Sequence, residues 1–347
     1  MTLRVGVIGT GFGSQVQIPA FQAHPRACVV AVASGTPGKA AAVARRFEIP
    51  HAFDRWEELV RADLDLVSVT PQPVWHHPMS LAAIDRGRHV LCEKPMAMNA
   101  GEAAEMLARA QGAGIVHAID HELRFNPNRR KIKALIDAGF VGHPRHALIT
   151  VVGSGRADPA QSWTWWSDAG QGGGLLGAQA SHQVDLLRFW LGEISGVSGT
   201  AETFIRERPI PGGQRPVTSE DFTSFSLRFA SGAVGTVFLS VVAAHGEGPR
   251  IAVWGDEGSL RLDGQERLWG ARSGGEWREL TEPETLTPPA GMDYSPLWGL
   301  SFVRFADHLV GAILDGAPLA PAATFADGLE VQRALDAIRR ARWSVPG

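Results

Sequence analysis

A glycine-rich loop near the N-terminus is the feature that most constrains the fold. It reads Gly9-Thr10-Gly11-Phe12-Gly13-Ser14, follows the apolar run 4–8 and precedes a helical pattern over 14–24. In a strand–loop–helix unit the first glycine permits a tight turn, the second lets the backbone approach a pyrophosphate, and the helix start offers N–H groups to the anion. We therefore predict a dinucleotide-binding Rossmann domain whose loop contacts are Gly9, Gly11, Phe12 and Gly13. The alternative is a glycine-rich turn that binds no nucleotide.

Short apolar runs alternate with helical patterns as far as about residue 120. The strand candidates are 4–8, 28–33, 66–69, 89–92 and 115–119, and the helix candidates are 14–24, 38–47, 78–86 and 100–113. This alternation is typical of a parallel α/β sheet, in which right-handed crossovers bring the carboxyl ends of all strands to one edge. We expect the glycine loop and the residues that follow the later strands to line one crevice at that edge.

The pattern changes after Asn126-Pro127. A helix candidate at 128–138 precedes a long region rich in glycine and tryptophan, and helical patterns return at 297–314 and 325–342. We predict two domains: a doubly wound Rossmann domain over 1–123, and an α+β domain for substrate binding and oligomerisation over 124–347, with one C-terminal helix packing back on the first. The second domain should contain a largely antiparallel mixed sheet. Its strand candidates are 197–204, 222–229, 233–242, 250–254 and 259–262.

Charge and composition narrow the range of partners. The formal net charge of the 347 residues is −3 and the arginines are scattered, so no basic surface is expected to bind nucleic acid. No run approaches the roughly 20 apolar residues of a membrane span, and we expect no membrane partner. The first strand begins within a few residues of Met1, which leaves no room for a signal peptide and favours a cytoplasmic location. Cys28 and Cys92 lie in apolar runs and are expected to be buried thiols.

Lys94 is the strongest candidate for a catalytic residue. The segment Glu93-Lys94-Pro95 directly follows the apolar run 89–92, and a lysine at the end of a parallel strand points into the crevice. Partial burial beside a cationic nicotinamide would lower the pKa of Lys94, so that it takes a proton from a substrate hydroxyl while hydride leaves the adjacent carbon. Glu93 would hold the lysine or the ribose. The alternative is a solvated lysine at the rim.

The end of the second strand predicts the cofactor. The acidic residue that would accept the adenosine ribose 2′-OH is missing from 33–39, so nothing there repels a 2′-phosphate. Thr36 followed by Pro37 predicts an N-cap and a first helical residue. A phosphate would then meet Ser34, Thr36 and Lys39 at a helix N-terminus. We favour NADP(H) over NAD(H).

His182 and Asp185 form a second candidate pair. They follow Gly172-Gly173-Gly174 and lie three residues apart in a helical pattern, so they share one face and Asp185 can orient or charge the imidazole. The alternative is a structural histidine. The tryptophan-rich segment before these glycines suggests that Trp165 packs against a sugar ring, although tryptophans are as often part of a core.

Further polar residues follow other strands. Thr70, Pro71 and His76 should contact the cofactor from the rim of the crevice. Arg124 and Asn126 could bind substrate hydroxyl or carboxylate groups, and a salt bridge between the domains would explain them equally well. His76 and His77 resemble a metal-binding pair, but no carboxylate or cysteine nearby completes a ligand set, so we predict no metal.

With these residues named, the chain resembles the Gfo/Idh/MocA family of glucose-fructose oxidoreductase and inositol dehydrogenase. The resemblance covers nearly the whole length and implies an N-terminal Rossmann domain, a nicotinamide cofactor, and a C-terminal open sheet that pairs face to face in homodimers or homotetramers. It rests on the glycine loop, Thr70-Pro71 with His76, the segment 87–95 ending in Glu93-Lys94-Pro95, and Gly172-Gly173-Gly174 before His182 and Asp185.

The resemblance also implies that Lys94 and His182 share acid and base work on a secondary alcohol. Family members acting on inositol typically carry an aspartate four residues before this histidine, where this chain has Ala178, and glycine is usual at Ala180. The missing carboxylate removes an acceptor for a substrate hydroxyl. We predict an NAD(P)-dependent oxidoreductase that acts on a hydroxyl or carbonyl carbon of a sugar, sugar derivative or cyclitol. The alternatives are a redox-neutral NAD-dependent glycosidase or epimerase of the same family, and a non-catalytic dinucleotide-binding sensor.

Overall fold

A computed structural model describes residues 1–340, which form two compact units. The first unit comprises residues 1–126 and 285–329, and the second comprises residues 127–284 and 330–340. Each unit contains its own main sheet. The segment 285–329 thus returns to the unit that contains the glycine loop.

The first unit is built on a six-stranded parallel sheet, which confirms the predicted Rossmann fold. The strand order is β3-β2-β1-β4-β5-β6, the order of a dinucleotide-binding sheet whose ligand crevice lies where the order reverses, between β1 and β4. The predicted strands all form, and β3 was not predicted. The bounds are β1 Leu3–Ile8, β2 Ala27–Ala33, β3 His51–Phe53, β4 Leu66–Val69, β5 His89–Cys92 and β6 His117–Ile119.

Helices cover both faces of this sheet and bury two apolar clusters against it. The glycine loop runs into a π-helical turn, Gly13–Gln17, that continues as the first α-helix. The predicted N-cap at Thr36 is wrong: the second helix begins at Lys39, because Gly38 before it adopts a left-handed φ of 75°. The bounds are α1 Ile18–Ala23, α2 Lys39–Phe47, α3 Trp56–Arg61, α4 His76–Ile84 and α5 Ala100–Ala113.

A long apolar helix, α8 (Pro296–Asp315), completes the first unit. By length and composition alone it could cross a membrane. Its Phe302, Phe305 and Leu309 side chains are no more than 1% exposed and lie in the apolar cluster that also contains residues of β1 and β2. Its apolar face is therefore accounted for by core packing.

The second unit contains an eight-stranded mixed sheet in the order β16-β15-β14-β13-β7-β12-β11-β8. Only β7 and β12 are parallel neighbours, so the predicted largely antiparallel sheet is confirmed. A separate hairpin joins β9 and β10. The bounds are β7 Pro144–Val152, β8 Ile194–Glu202, β9 Glu207–Ile210, β10 Gly213–Pro216, β11 Phe222–Phe229, β12 Val234–Ser240, β13 Gly248–Gly255, β14 Gly258–Leu262, β15 Leu268–Arg272 and β16 Arg278–Glu279.

The remaining helices are α6 Pro127–Asp137, α7 Ser181–Leu191 and α9 Phe325–Arg340. The last two positions of the predicted helix 325–342 lie outside the described residues. Helix α7 packs on one face of the mixed sheet, where a Cβ on Gly235 would lie 3.0 Å from the Leu187 side chain. A glycine on β12 therefore lets the helix approach the strand closely.

Candidate functional site

The glycine loop is held against the strand that follows the topological switch. Gly9 adopts a φ of 111°, and a Cβ there would overlap Thr70 Oγ1 and lie 2.9 Å from the Thr70 carbonyl carbon. Gly13 faces the same threonine, because a Cβ there would lie 2.7 Å from Thr70 Oγ1. Thr70 donates to the Ile8 carbonyl from both its backbone N–H (2.8 Å) and its hydroxyl (2.9 Å). Two glycines are thus required by the fold itself.

Gly11 differs from its two neighbours because a Cβ there would meet no atom within 4 Å. Within residues 1–340, no protein acceptor is recorded for the backbone N–H groups of Thr10, Gly11 or Phe12. A loop with backbone donors that no protein acceptor takes, and with open space beside its central glycine, fits the pyrophosphate of a dinucleotide. The predicted contacts Gly9, Gly11, Phe12 and Gly13 therefore form one loop whose shape suits that group.

The residues predicted to choose between NAD and NADP lie at the end of β2. The Ser34 hydroxyl is nearly buried and accepts from Thr10 Oγ1 and from the Thr36 backbone N–H, both at 3.3 Å. Thr36 and Lys39 are exposed. Asp54 lies on the next strand end, and its carboxylate accepts from the Gly38 N–H at 3.4 Å. An acid therefore already occupies the N-terminus of α2, where a 2′-phosphate was expected.

Lys94 is half-buried and directly follows β5, on the same edge of the parallel sheet as the glycine loop and Thr70. The fully buried His76 ring joins the two adjacent strand ends, since its Nδ1 lies 2.8 Å from the Pro95 carbonyl and its Nε2 lies 3.0 Å from the Pro71 carbonyl. Burial lowers the pKa of His76 to about 4, against the raising effect of both carbonyls. A neutral imidazole donates from only one nitrogen, so one carbonyl is bonded at a time.

The buried His76 predicts a pH dependence of stability. Its pKa falls from 6.5 to about 4 on folding, so its contribution is complete above pH 6.5 and is lost as the pH drops toward 4. We expect the difference in unfolding free energy between the wild type and His76→Gln to shrink by about 3 kcal/mol across that range. Urea unfolding at a series of pH values measures it. A difference that is constant with pH would mean that His76 titrates normally.

A buried polar network that the sequence did not predict includes Glu93, the residue before Lys94. The Gln17 amide is fully buried, and its Nε2 donates to Glu93 Oε1 at 3.0 Å and to Asp120 Oδ2 at 2.9 Å. The Gln17 carbonyl accepts from the Ser68 hydroxyl. One side chain from the helix after the glycine loop thus ties together the ends of β4, β5 and β6. Asp120 directly follows β6 and is one of the strand-end residues expected at the crevice, whereas Glu122, two residues further on, was not expected there.

The only tyrosine of the chain, Tyr294, also lies beside the glycine loop and was not predicted. Its ring centroid is 5.2 Å from that of Phe12, and the neighbouring Asp293 N–H donates to the Gln15 carbonyl at 3.1 Å. Burial, together with the Glu122 and Glu93 carboxyls, raises the pKa of Tyr294. No sequence signal marks it, because it lies in a loop far from the Rossmann strands.

In the second unit, His182 and Asp185 lie one turn apart on α7 and are each 1% exposed. Ala178 lies in the preceding π-helical turn, Leu176–Ala180, where the family's aspartate is expected. The first unit holds Lys94 and the second holds this pair. The catalytic roles of all three residues stay predictions.

The glycines before α7 are explained by packing within the second unit. A Cβ on Gly173 would overlap the Trp166 carbonyl, and one on Gly174 would lie 2.5 Å from the Glu220 carboxylate. That carboxylate is half-buried and accepts from the Leu176 N–H at 2.8 Å, at the start of the helical turn that leads to His182. Trp165 is 37% exposed, so its ring remains open to a ligand, and its sugar-binding role stays a prediction.

We expect Gly174→Ala to destabilise the second unit by about 3 kcal/mol. Its φ of 105° disfavours any Cβ, and moving Glu220 aside would break a charge-assisted hydrogen bond. Gly192→Ala is the matched control, because Gly192 has a φ of 95° but no atom within 4 Å of the added Cβ; we expect about 1 kcal/mol there. Chemical denaturation of both variants measures the difference. Equal losses would exclude a specific role for Glu220 packing.

Arg124 and Asn126 lie at the end of the first segment of the first unit. Arg124 is 5% exposed and donates to the Pro321 carbonyl at 3.2 Å and to Asp327 Oδ1 at 3.3 Å, both within that unit. Its guanidinium therefore binds the segment 285–329 through at least these two hydrogen bonds. The substrate roles of Arg124 and Asn126 stay predictions.

Comparisons with known proteins agree with this geometry. Residues 3–121 match the oxidoreductase family with an NAD-binding Rossmann fold, and residues 129–261 match the GFO/IDH/MocA C-terminal domain. An uncharacterized oxidoreductase of Synechocystis sp. is 32% identical, covering 83% of this chain and 81% of its own. Levoglucosan dehydrogenase of Pseudarthrobacter phenanthrenivorans is 29% identical, covering 97% and 95%.

A solved structure extends the likeness to three dimensions. Levoglucosan dehydrogenase in complex with NADH and levoglucosan superposes with a TM-score of 0.89 at 28% identity, covering 97% of this chain and 96% of that one. The two family models together span well over half of the chain, and the glycine loop, Glu93-Lys94-Pro95 and the buried His182 lie within them. The chain therefore belongs to the Gfo/Idh/MocA family of oxidoreductases.

Proposed function

We propose that this protein is a dehydrogenase or reductase that transfers hydride between a nicotinamide cofactor and a hydroxyl or carbonyl carbon of a sugar, sugar derivative or cyclitol. The observation that carries the proposal is the place of Lys94, which follows β5 on the sheet edge where the open glycine loop follows β1. A relative named levoglucosan dehydrogenase has been solved with NADH and either levoglucosan or L-sorbose, which supports a carbohydrate-like substrate.

Each site residue has a part in such a reaction. Bound nicotinamide supplies the hydride acceptor, or the donor in the reverse direction. Lys94 takes the hydroxyl proton on its Nζ as the carbon is oxidised, and returns it when a carbonyl is reduced. The buried His76 ring lies between the Pro71 and Pro95 carbonyls and donates to one of them, which supports the backbone next to Lys94. The role we propose for His182 and Asp185 is to bind and polarise a substrate oxygen.

The choice of cofactor is a finer proposal. A site without an acid at the end of β2 tolerates a 2′-phosphate, and this supports the expected preference for NADP(H). Two observations favour NAD(H): Asp54 is bonded at the N-terminus of α2, and the complexes of levoglucosan dehydrogenase contain NADH. The preference for NADP(H) stays a prediction. The ratio of the dissociation constants for NADPH and NADH decides it.

The deciding experiment is a substrate panel read by nicotinamide absorbance. The protein is mixed with NAD or NADP and with levoglucosan, L-sorbose, glucose or myo-inositol, and Lys94→Ala is the control. Net cofactor reduction by the wild type, and none by Lys94→Ala, supports a dehydrogenase. Sugar conversion without net reduction would favour a redox-neutral glycosidase or epimerase. Cofactor binding with no conversion of any sugar would favour a sensor.

We also propose that the protein is a homo-oligomer assembled through the open face of its mixed sheet. Leu148 and Phe238 lie on the neighbouring central strands β7 and β12 and are 37% and 39% exposed. The Phe222 ring lies edge-on to Phe238 at 5.2 Å and extends this apolar surface along the sheet. Large apolar side chains on central strands favour burial by a second copy. Light scattering in solution tests this, and a monomeric mass would contradict it.

A further inference from the structure

Gln17 is a buried glutamine whose side-chain amide is hydrogen-bonded at both ends. Its Nε2 donates to Glu93 Oε1 at 3.0 Å and to Asp120 Oδ2 at 2.9 Å, and its Oε1 accepts from the Ser68 hydroxyl. All four side chains are buried. An ionised carboxylate only accepts hydrogen bonds, so the Nε2 end of the amide has to face the two acids. The bond from Ser68 fixes the amide in that orientation.

The backbone that carries Gln17 has an unusual conformation. Gln17 is the last residue of the π-helical turn Gly13–Gln17, which the Ile18 N–H closes by donating to the Gly13 carbonyl, five residues earlier. Turns of this kind are rare, and they frequently occur at functional sites. The turn begins inside the glycine loop, so Gln17 belongs to the same short segment as the backbone that fits the pyrophosphate.

The Glu93 carboxyl group connects Gln17 to the backbone of Lys94. Its Oε1 accepts from the Gln17 amide, and its Oε2 accepts from the Lys94 backbone N–H at 3.3 Å. The Glu93 backbone is fixed as well, because its N–H donates to the Val69 carbonyl at 2.9 Å. The Glu93 side chain is buried, so water competes little for its two oxygens. Two consecutive hydrogen bonds thus join the Gln17 amide to the Lys94 backbone.

We propose that Gln17 is a positioning residue that holds the backbone of Lys94 through the Glu93 carboxyl group. The consequence for catalysis rests on the proposed function, in which Lys94 takes the substrate proton. Without the Gln17 amide, Glu93 Oε1 loses this donor, and the carboxyl group is less firmly held against the Lys94 N–H. A displacement of a reacting group by about 1 Å is enough to lower a rate about a hundredfold.

A glutamine that served folding alone would behave differently. Its loss would deprive Ser68, Glu93 and Asp120 of a buried partner and lower the stability of the protein. The molecules that remain folded would still have the wild-type kcat, and the Lys94 amide would respond no more than other backbone amides. A positioning role instead predicts a local change at Lys94 and a loss of kcat with little change in KM.

The first test needs neither substrate nor cofactor, because the chain has only four lysines: Lys39, Lys94, Lys131 and Lys133. In protein labelled with 15N-lysine, each gives one backbone amide signal, and Lys94→Arg identifies the signal of Lys94. In Gln17→Met this signal should shift, and its hydrogen exchange should become at least about tenfold faster. The other three amides are the internal control. An unchanged Lys94 signal, or equal acceleration of all four amides, would overturn the proposal.

The second test is a double-mutant cycle on the sugar that the wild type oxidises fastest. Gln17→Met should lower kcat about ten- to a hundredfold and change KM by less than about twofold. Glu93→Gln should lower kcat to a similar extent, because an amide has one acceptor oxygen where the carboxyl group has two. In the Glu93→Gln background, Gln17→Met should then lower kcat by less than about twofold, since both changes act through one contact. Independent, multiplicative losses would contradict this.

Two further variants keep both tests decisive. Gln22→Met is the matched control on α1, because its Nε2 donates to the Phe47 carbonyl and to no strand end; it should leave kcat and the Lys94 signal unchanged. Ser68→Ala removes the bond that orients the Gln17 amide, and it should shift the Lys94 signal in the same direction even if Gln17→Met does not fold. If the wild type oxidises none of the sugars, the proposed function fails, and the amide spectrum alone decides whether Gln17 holds Lys94.

Discussion

Replacing Lys94 by alanine is expected to lower kcat for hydride transfer by about a hundred- to ten-thousand-fold, the usual range for loss of a positioned acid–base group. The lysine follows β5 directly, on the sheet edge where the glycine loop and Thr70 also lie. Its loss removes the proton acceptor and leaves the loop that fits the pyrophosphate untouched. Stopped-flow absorbance at saturating cofactor measures the rate, and cofactor fluorescence should show a dissociation constant within a few-fold of the wild type.

Two further variants separate proton transfer from charge. Lys94→Arg keeps the positive charge but stays protonated, so it should remain as impaired as alanine if the lysine acts as a base. Lys131→Ala removes a partly exposed lysine that pairs with Glu282, and it should leave kcat unchanged. Near wild-type activity of Lys94→Arg would show that only the charge matters and would remove the lysine from the proton-transfer step.

The position of Lys94 was predictable because parallel strands buried on both faces are short, continuous apolar runs. The predicted bounds of β4 and β5 coincide with those observed, as does the helix 100–113. Strand β3 was missed because its three residues form an exposed sheet edge with little apolar character. Strand β7 was also missed, although it lies in the middle of the second sheet. Its partners β12 and β13 are about a hundred residues away, and no local pattern reveals such pairing.

The chemistry of the first unit was predicted less completely than its fold. Acidic residues in a sequence usually indicate solvated surface, so Glu122 gave no sign of burial. Gln17 appears as a polar residue on an amphipathic helix, yet it is fully buried and joins three strand ends. Only the arrangement of parallel strands brings these side chains together. The sequence therefore predicts where the crevice lies, but it does not predict which buried polar groups form hydrogen bonds with one another there.

Gly11→Asp is expected to weaken cofactor binding at least about a hundredfold without changing the stability of the protein. A side chain at this position meets no atom within 4 Å, so the fold has no reason to resist it. The new carboxylate would occupy the open space beside the glycine loop and would repel the pyrophosphate. A hundredfold change corresponds to about 2.7 kcal/mol of binding free energy. Fluorescence titration with NADH and NADPH measures the affinity, and thermal unfolding without cofactor measures the stability.

The matched control is Gly9→Ala, two residues earlier in the same loop. Its φ of 111° and the overlap with Thr70 predict a loss of about 2–4 kcal/mol of folding stability, because backbone atoms there cannot move aside. Gly11→Asn separates charge from size: it should bind the cofactor better than Gly11→Asp if repulsion is the main effect. The two variants are thus expected to differ: Gly11→Asp should lose cofactor affinity, and Gly9→Ala should lose folding stability. Wild-type affinity in Gly11→Asp would mean that the pyrophosphate does not approach this loop, and the cofactor site would have to lie elsewhere.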